Sequence, residues 1–377
     1  MKATKHPNIH RYDPPQWFRE ANFGIFIHWG PYSIPAFAPV DVDDYDKLLR
    51  EKPMEYMFEN FPYAEWYQNS IRIKDSPAYA YHKEHYGDTP YSKFADEFKE
   101  HSKNVDVEEW AVLFKKAGAK YVVVVSKHHD GFVLFDTKVR NPKMPGYNLD
   151  FDYIGNLAAA VRKQGMRFGI YYSSLIDWTF TENPIIDAGS MFMGNDNSKE
   201  YRDYCLNHWM EIIDRYQPDI LWSDIGYPTD NRLEDLFAYY YKTVPEGVVN
   251  DRWGQWPNIF RNSLGKAFIT SQARKVLKKG SAKPIDTKYY DYRTLEYNTE
   301  WNEEDIWFEV CRGMDKSFGY NKLSRPQDYI TADEVIAMLD DIVPKKGRLL
   351  LNAGPDSFGN IADYQVKILE NLEGRIR

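Results

Sequence analysis

Lys120–Phe132 reads KYVVVVSKHHDGF. Four consecutive valines follow Tyr121, a β-branched apolar run suited to a parallel strand buried on both faces. The run stops in Ser126-Lys127-His128-His129-Asp130-Gly131. A row of polar and ionisable side chains cannot continue a buried strand. It belongs at the strand's carboxyl end, where α/β folds place their chemistry. A His-His pair taken alone is more often a surface loop or a satisfied core imidazole. The abrupt switch from apolar to ionisable favours a site here.

The same grammar recurs on both sides of this stretch. Upstream, Phe23–Gly30 (FGIFIHWG) is a strand with Phe26 and His28 on one face, ending in a turn. Residues 32–101 carry many prolines and aromatics without long periodicity, and form an excursion over the mouth of the fold that contains Glu65-Trp66-Tyr67. Asp106 caps a helix, with Glu109 completing a capping-box pattern and Trp110, Leu113, Phe114 and Ala117 on one face.

Downstream, a helix over 152–164 leads to the strand Arg167–Ser173. After a mouth loop over 177–197, a helix over 199–216 leads to the strand 219–224. A helix over 231–242 precedes the fifth run, 247–250, and 258–283 is a polar, basic loop insertion. Tyr289–Tyr297 is a weak sixth strand. A helix near 305–314 leads to a seventh strand at Ser317–Asn321. A helix capped by Thr331, an eighth strand at 348–352 and a closing helix at 362–373 complete the chain.

Eight strands alternating with helices predict a (β/α)8 barrel, irregular near the sixth strand. The expected organisation is one catalytic domain over 1–377, with excursions near 32–101 and 255–288. No glycine-rich phosphate fingerprint follows the first strand, which argues against a doubly wound dinucleotide fold.

Composition sets limits on function. The net charge is −8 with no basic block, which speaks against a nucleic-acid surface. Aromatics make up 16% of the chain, enough to fill a core and still stack on sugar rings. Cys205 and Cys311 form no metal or redox spacing, and no run reaches transmembrane length. The polar start, MKATKHPNIHRYDPPQW, has no apolar leader core, so the expectation is a cytoplasmic protein unless a signal was trimmed.

In a barrel the strand ends converge on one pocket. Here they bring His28, His128, His129, Tyr171, Tyr172, Trp222, Asp224, Arg252, Glu296 and Phe318. Two carboxylates in an aromatic pocket suit glycoside hydrolysis, with one carboxylate acting at the anomeric carbon and the other on the leaving-group proton. Histidines and an arginine hold hydroxyls through directional hydrogen bonds. The competing reading is metal-dependent hydrolysis with His28, His128, His129 and Asp224 as ligands. The first strand lacks an H-x-H pair and no H-E-x-x-H occurs, so neither a metal nor a cofactor is expected.

The segments FGIFIHWGPYS, EWY, DVEEWAVLFKKAGAKYVVVVSKHHDGF, RFGIYYS, YQPDILWSD, NDRWG, SFGYN and LLLNAGPDSFGNI run in order from Trp17 to the last helix. Together they resemble the family 29 glycoside hydrolases, the α-L-fucosidases. The resemblance implies a retaining exo-hydrolase that releases α-linked L-fucose from fucosylated oligosaccharides or small fucosides. It implies Asp224 as nucleophile and Glu296 as acid/base, with Glu65, Glu300, Glu303 and Glu304 as rivals for the second role. His28, Glu65, Trp66, His128 and His129 match sugar ligands, and Tyr171 and Arg252 fall beside the nucleophile. Phe26, Trp222 and Phe318 match an apolar wall for the C6 methyl. Many members continue into a C-terminal β-sandwich, which is not evident here. A homo-oligomer is compatible with the sequence. The alternatives are a fucose-binding barrel without turnover and a hydrolase for a related sugar such as a galactoside.

Overall fold

The valine run forms the strand Tyr121–Lys127, buried along its whole length, in a computed structural model that describes residues 13–278, 287–301 and 305–376. In chain order the strands are β1 Phe23–Ile27, β2 Tyr121–Lys127, β3 Arg167–Ser173, β4 Ile220–Asp224, β5 Val248–Val249, β6 Arg293–Glu296, β7 Phe308–Gly313 and β8 Gly347–Ala353. They pair in parallel in the order β5-β4-β3-β2-β1-β8-β7-β6. With β1 lying between β2 and β8, the sheet curls as a (β/α)8 barrel. The expected irregularity at the sixth strand is a seam: β5 and β6 share no strand ladder.

One backbone bond and two aspartate side chains stitch that seam. The Asp291 N–H donates to the Val249 carbonyl at 2.9 Å, and the Asp291 carboxylate accepts from the Val249 N–H at 2.7 Å. Asp251 accepts from the Thr294 hydroxyl at 2.6 Å and from its N–H at 3.1 Å. Carboxylates thus take the place of strand backbone, and the buried N–H groups keep partners.

The barrel interior explains two sequence choices. A Cβ on Gly24 would lie 2.4 Å from the Tyr121 ring, so the glycine lets that ring cross the interior. Its hydroxyl then donates to Glu309 at 2.7 Å. On β2 the register with β3 slips between Val125 and Lys127, so that Val125 faces Tyr171 and Lys127 faces Tyr172. One extra residue reverses the in-out alternation. Lys127 therefore points outward, onto the Tyr172 ring and into a fully buried ion pair with Asp177 at 2.9 Å. His128 turns inward instead.

The helices over Val107–Lys116, Tyr153–Lys163, Lys199–Tyr216, Leu233–Thr243, Ala332–Ile342 and Asp363–Glu370 agree with expectation. Asp106 accepts from the Glu109 N–H, but the return bond of the capping box is not made; Thr331 and Glu334 make both halves.

Three expectations change. The seventh strand is Phe308–Gly313, not Ser317–Asn321, which is a loop. Its Glu309 and Arg312 disguised the run as an amphipathic helix, and Glu309 is tolerated inside only because Tyr121 and Trp222 donate to it. The insertion at 258–283 contains a helix, Ser263–Lys278; residues 279–286 lie outside the described ones. Ile269 and Ala273, one turn apart, pack with Met54, Ala188 and Met193. The opposite face leaves Leu264 and Phe268 exposed, so the sequence shows no clean amphipathic split. The loop 177–197 likewise carries a short helix, Ala188–Met193. The excursion over 32–101 is a set of short helices, including Tyr45–Glu51 and Met54–Glu59. Among the described residues no helix is long and apolar enough to cross a membrane.

Candidate active site

Strand alternation aims the chemistry at the barrel mouth. Phe26 precedes His28 by two residues at the end of β1, as Trp222 precedes Asp224 on β4 and Thr294 precedes Glu296 on β6. Each pair therefore shares one face. Of the twelve residues named above as catalytic or sugar-binding, eleven line one pocket; His129 stands just behind it.

At the centre, one guanidinium joins two carboxylates. Arg252 Nη1 donates to Asp224 Oδ1 at 2.8 Å, and Arg252 Nη2 donates to Glu296 Oε2 at 3.0 Å. Arg252 Nε donates to Thr294 at 3.0 Å, which fixes the fork on β6. A phenol holds the second oxygen of each carboxylate: Tyr171 donates to Asp224 Oδ2 at 2.9 Å, and Tyr63 donates to Glu296 Oε1 at 2.6 Å. Burial alone pushes the Asp224 carboxyl up. Arg252, with the Tyr171 hydrogen bond, outweighs burial and holds it below the usual carboxylate value.

The histidines are neutral hydrogen-bonding groups. Burial lowers His28 to about 4 and His129 to about 3, and takes His128 well below its ordinary value. Asn352 Nδ2 donates to the Phe318 carbonyl at 2.6 Å, which turns Asn352 Oδ1 toward His28 Nδ1 at 2.7 Å. His28 Nδ1 must then carry the proton, leaving Nε2 as an acceptor. Ser173 donates to the Ile176 carbonyl, so His129 Nδ1 donates to Ser173 at 2.6 Å. His129 Nε2 faces Asp224 Oδ2 at 3.6 Å as a second acceptor, not as an ion-pair partner. Among the described residues no group of three or more His, Cys, Asp or Glu is arranged to hold a metal ion.

Rings form the rest of the pocket. Phe26 lies 5.1 Å from Trp222 and 6.3 Å from Phe318, centroid to centroid. Trp222 carries Tyr171 stacked at 5.4 Å and the Arg252 guanidinium at 4.9 Å. Beneath it, Glu309 accepts from the Trp222 indole at 3.0 Å. Trp66 packs edge-on against His129 at 5.1 Å. Glu65 is buried, accepts from the Gly319 N–H at 2.7 Å, and is pushed by burial up to about 8.

Among the rival glutamates, Glu300 has a side chain 74% exposed and meets Arg50 at 3.6 Å, away from the pocket. Glu303 and Glu304 lie outside the described residues. Tyr172, counted among the strand ends, points outward to His208 at 2.9 Å. Sequence reading missed Tyr63, Asn352 and Glu309. The first sits two residues before Glu65 and the second ends the RLLLN run, so both carried a positional signal; Glu309 was hidden by the misread seventh strand.

The profile of the alpha-L-fucosidase family matches residues 2–374. The chain belongs to that family.

Its relatives include the tissue alpha-L-fucosidase of Rattus norvegicus, 29% identical over 376 residues, covering 96% of this chain and 68% of the rat protein. The tissue alpha-L-fucosidase of Mus musculus is 30% identical over 368 residues, covering 94% and 68%. Among solved structures, the Thermotoga maritima alpha-fucosidase in complex with a mechanism-based inhibitor is 39% identical with a TM-score of 0.77, covering 97% of this chain and 76% of that one. A fucosynthase variant of the Thermotoga enzyme, in complex with alpha-L-Fuc-(1-2)-beta-L-Fuc-N3, has a TM-score of 0.80 at 39% identity over the same shares.

Proposed function

We propose that this alpha-L-fucosidase is a retaining exo-hydrolase in which Asp224 is the nucleophile and Glu296 the acid/base. The shared guanidinium carries the reading. Two carboxylates that accept from the two terminal nitrogens of one arginine face one pocket together, the pairing a double displacement needs, for which a carboxyl separation of roughly 5–5.5 Å is expected. A lowered Asp224 is ionised at neutral pH and suits attack on the anomeric carbon.

In the first step the bond from C1 to the Asp224 carboxylate forms as the bond from C1 to the glycosidic oxygen breaks, and Glu296 gives that oxygen its proton. In the second step Glu296 takes a proton from water. The water oxygen attacks C1, and the bond to Asp224 breaks. Two inversions leave the fucose α. The Tyr171 hydrogen bond orients Asp224, and Tyr63 orients Glu296.

Sugar recognition follows from the same inventory. The acceptor His28 Nε2 takes a hydroxyl proton of the sugar, His129 supports the wall from behind beside Asp224, and His128 and Trp66 close the ring's sides. Phe26, Trp222 and Phe318 face the C6 methyl, a contact worth ~1–3 kcal/mol against a sugar lacking it. The substrate is a fucosylated oligosaccharide or a small fucoside. The decisive experiment is proton NMR of the first-formed product: α-L-fucose is expected, and β-L-fucose overturns the double displacement.

Glu65 adds a pH prediction. With its value raised to about 8, it is protonated at neutral pH and donates to a sugar hydroxyl. It ionises as pH rises through about 8, so kcat/KM falls there; below that the neutral form persists and this group imposes no loss. Glu65→Gln keeps a neutral donor, and we expect the alkaline fall near 8 to disappear from its kcat/KM profile. An unchanged alkaline limb assigns that limb to another group.

A further inference from the structure

Beside the sugar pocket lies a second hollow of about 570 Å³, within the roughly 300–1,000 Å³ of small-molecule sites. The two are continuous, since Arg252, Glu296, Ile225, Met191 and Tyr45 line both. Glu296 stands at the junction, so a leaving group protonated by Glu296 emerges into the hollow. We infer that this hollow is the leaving-group site and that it selects fucosides of an extended apolar alcohol, alkyl or phenolic. The inference rests on the Glu296 assignment above.

The walls carry the argument. They come from the helices Tyr45–Glu51, Met54–Glu59, Ala188–Met193 and Ser263–Lys278, which present Met57, Phe58, Phe192 and Ile269, and from the loop after β5, which presents Trp256. Phe192 and Trp256 pack ring to ring at 4.9 Å. Methionines and aromatics of this kind adapt to a flexible apolar chain or a ring.

A second sugar is the weaker fit: its hydroxyls need partners, and although the buried Trp256 indole N–H stands without one, the walls are mainly apolar and several polar side chains there are engaged. Asp251 and Thr294 bond each other across the seam. Asp46 pairs with Arg50, and Asn298 accepts from the Glu300 N–H. The helix Ser263–Lys278 closes the far wall, so the insertion itself creates the preference.

The test is kcat/KM of the wild-type enzyme for methyl, butyl and octyl α-L-fucosides and for a fucosyl disaccharide. The longer alkyl alcohols differ little in acidity, so the series reports burial rather than leaving-group chemistry. We expect a rise of about fourfold per methylene buried, at least about 30-fold from methyl to octyl, with octyl above the disaccharide. Ile269→Asp flattens the series. Ile269→Ala, a milder change, lowers its slope and guards against a folding failure of the first variant. A flat wild-type series with normal methyl fucoside hydrolysis overturns the inference and leaves the active-site reading intact. So does a disaccharide cleaved better than octyl fucoside. No hydrolysis of any fucoside overturns the active-site reading itself.

Discussion

Asp224→Gly is expected to lower kcat on 4-nitrophenyl α-L-fucoside by at least about 10³-fold, because the proposed covalent intermediate forms on this carboxylate; a loss of that size is ~4 kcal/mol of barrier. The pocket should survive the change. Arg252 keeps its bonds to Glu296 and Thr294, and Tyr171 remains stacked on Trp222. The glycine opens a space beside a guanidinium, which suits a small anion. Azide should therefore restore turnover by attacking C1 from the vacated side, with the carbon–oxygen bond breaking and nitrophenolate leaving. A single inversion gives β-L-fucosyl azide. The same variant retaining hydrolysis within tenfold of wild type would remove Asp224 from the nucleophile's role.

The second large effect depends on the leaving group. In Glu296→Gly, cleavage of alkyl fucosides should fall by about 10²–10⁴-fold, the usual worth of general acid catalysis. Nitrophenolate needs little protonation, so the first step on the nitrophenyl substrate should be largely spared. Release of fucose then becomes slow, since no base activates water, and a burst of nitrophenol equal to the enzyme concentration is expected. Azide needs no base. It should intercept the intermediate and give α-L-fucosyl azide, the opposite anomer to that from Asp224→Gly. Equal losses on both substrate types, with no burst, would move the acid/base elsewhere.

The parts of the site legible in sequence are those set by local order. The valine run with its polar end, the alternation that pairs Phe26 with His28 and Trp222 with Asp224, and the N-cap at Asp106 all depend on neighbours within a few residues. What escaped depends on partners far along the chain. The seventh strand reads as a helix until Tyr121 and Trp222 are known to donate to Glu309. The inward turn of His128 comes from a slip against β3 that no residue in KHHDG announces. The role of Arg252 as the link between Asp224 and Glu296 spans 28 residues one way and 44 the other. The helix Ser263–Lys278 was hidden for a different reason: it is apolar on two faces, one packed and one exposed.

The seam between β5 and β6 divides the site by rigidity. Asp224 rides on β4, an interior strand laddered on both sides, to β3 and β5. Glu296 ends β6, a terminal strand laddered to β7 alone. Local opening costs least where fewest backbone bonds must break, so amides of β6 are expected to exchange with solvent more readily than those of β4 when hydrogen exchange is measured. On the proposed roles, the attacking oxygen then sits on the more firmly laddered strand and the proton carrier on the one that opens more readily. A carrier that must meet the glycosidic oxygen in one half-reaction and a water in the next gains from that freedom, while the nucleophile, which meets the same carbon twice, does not.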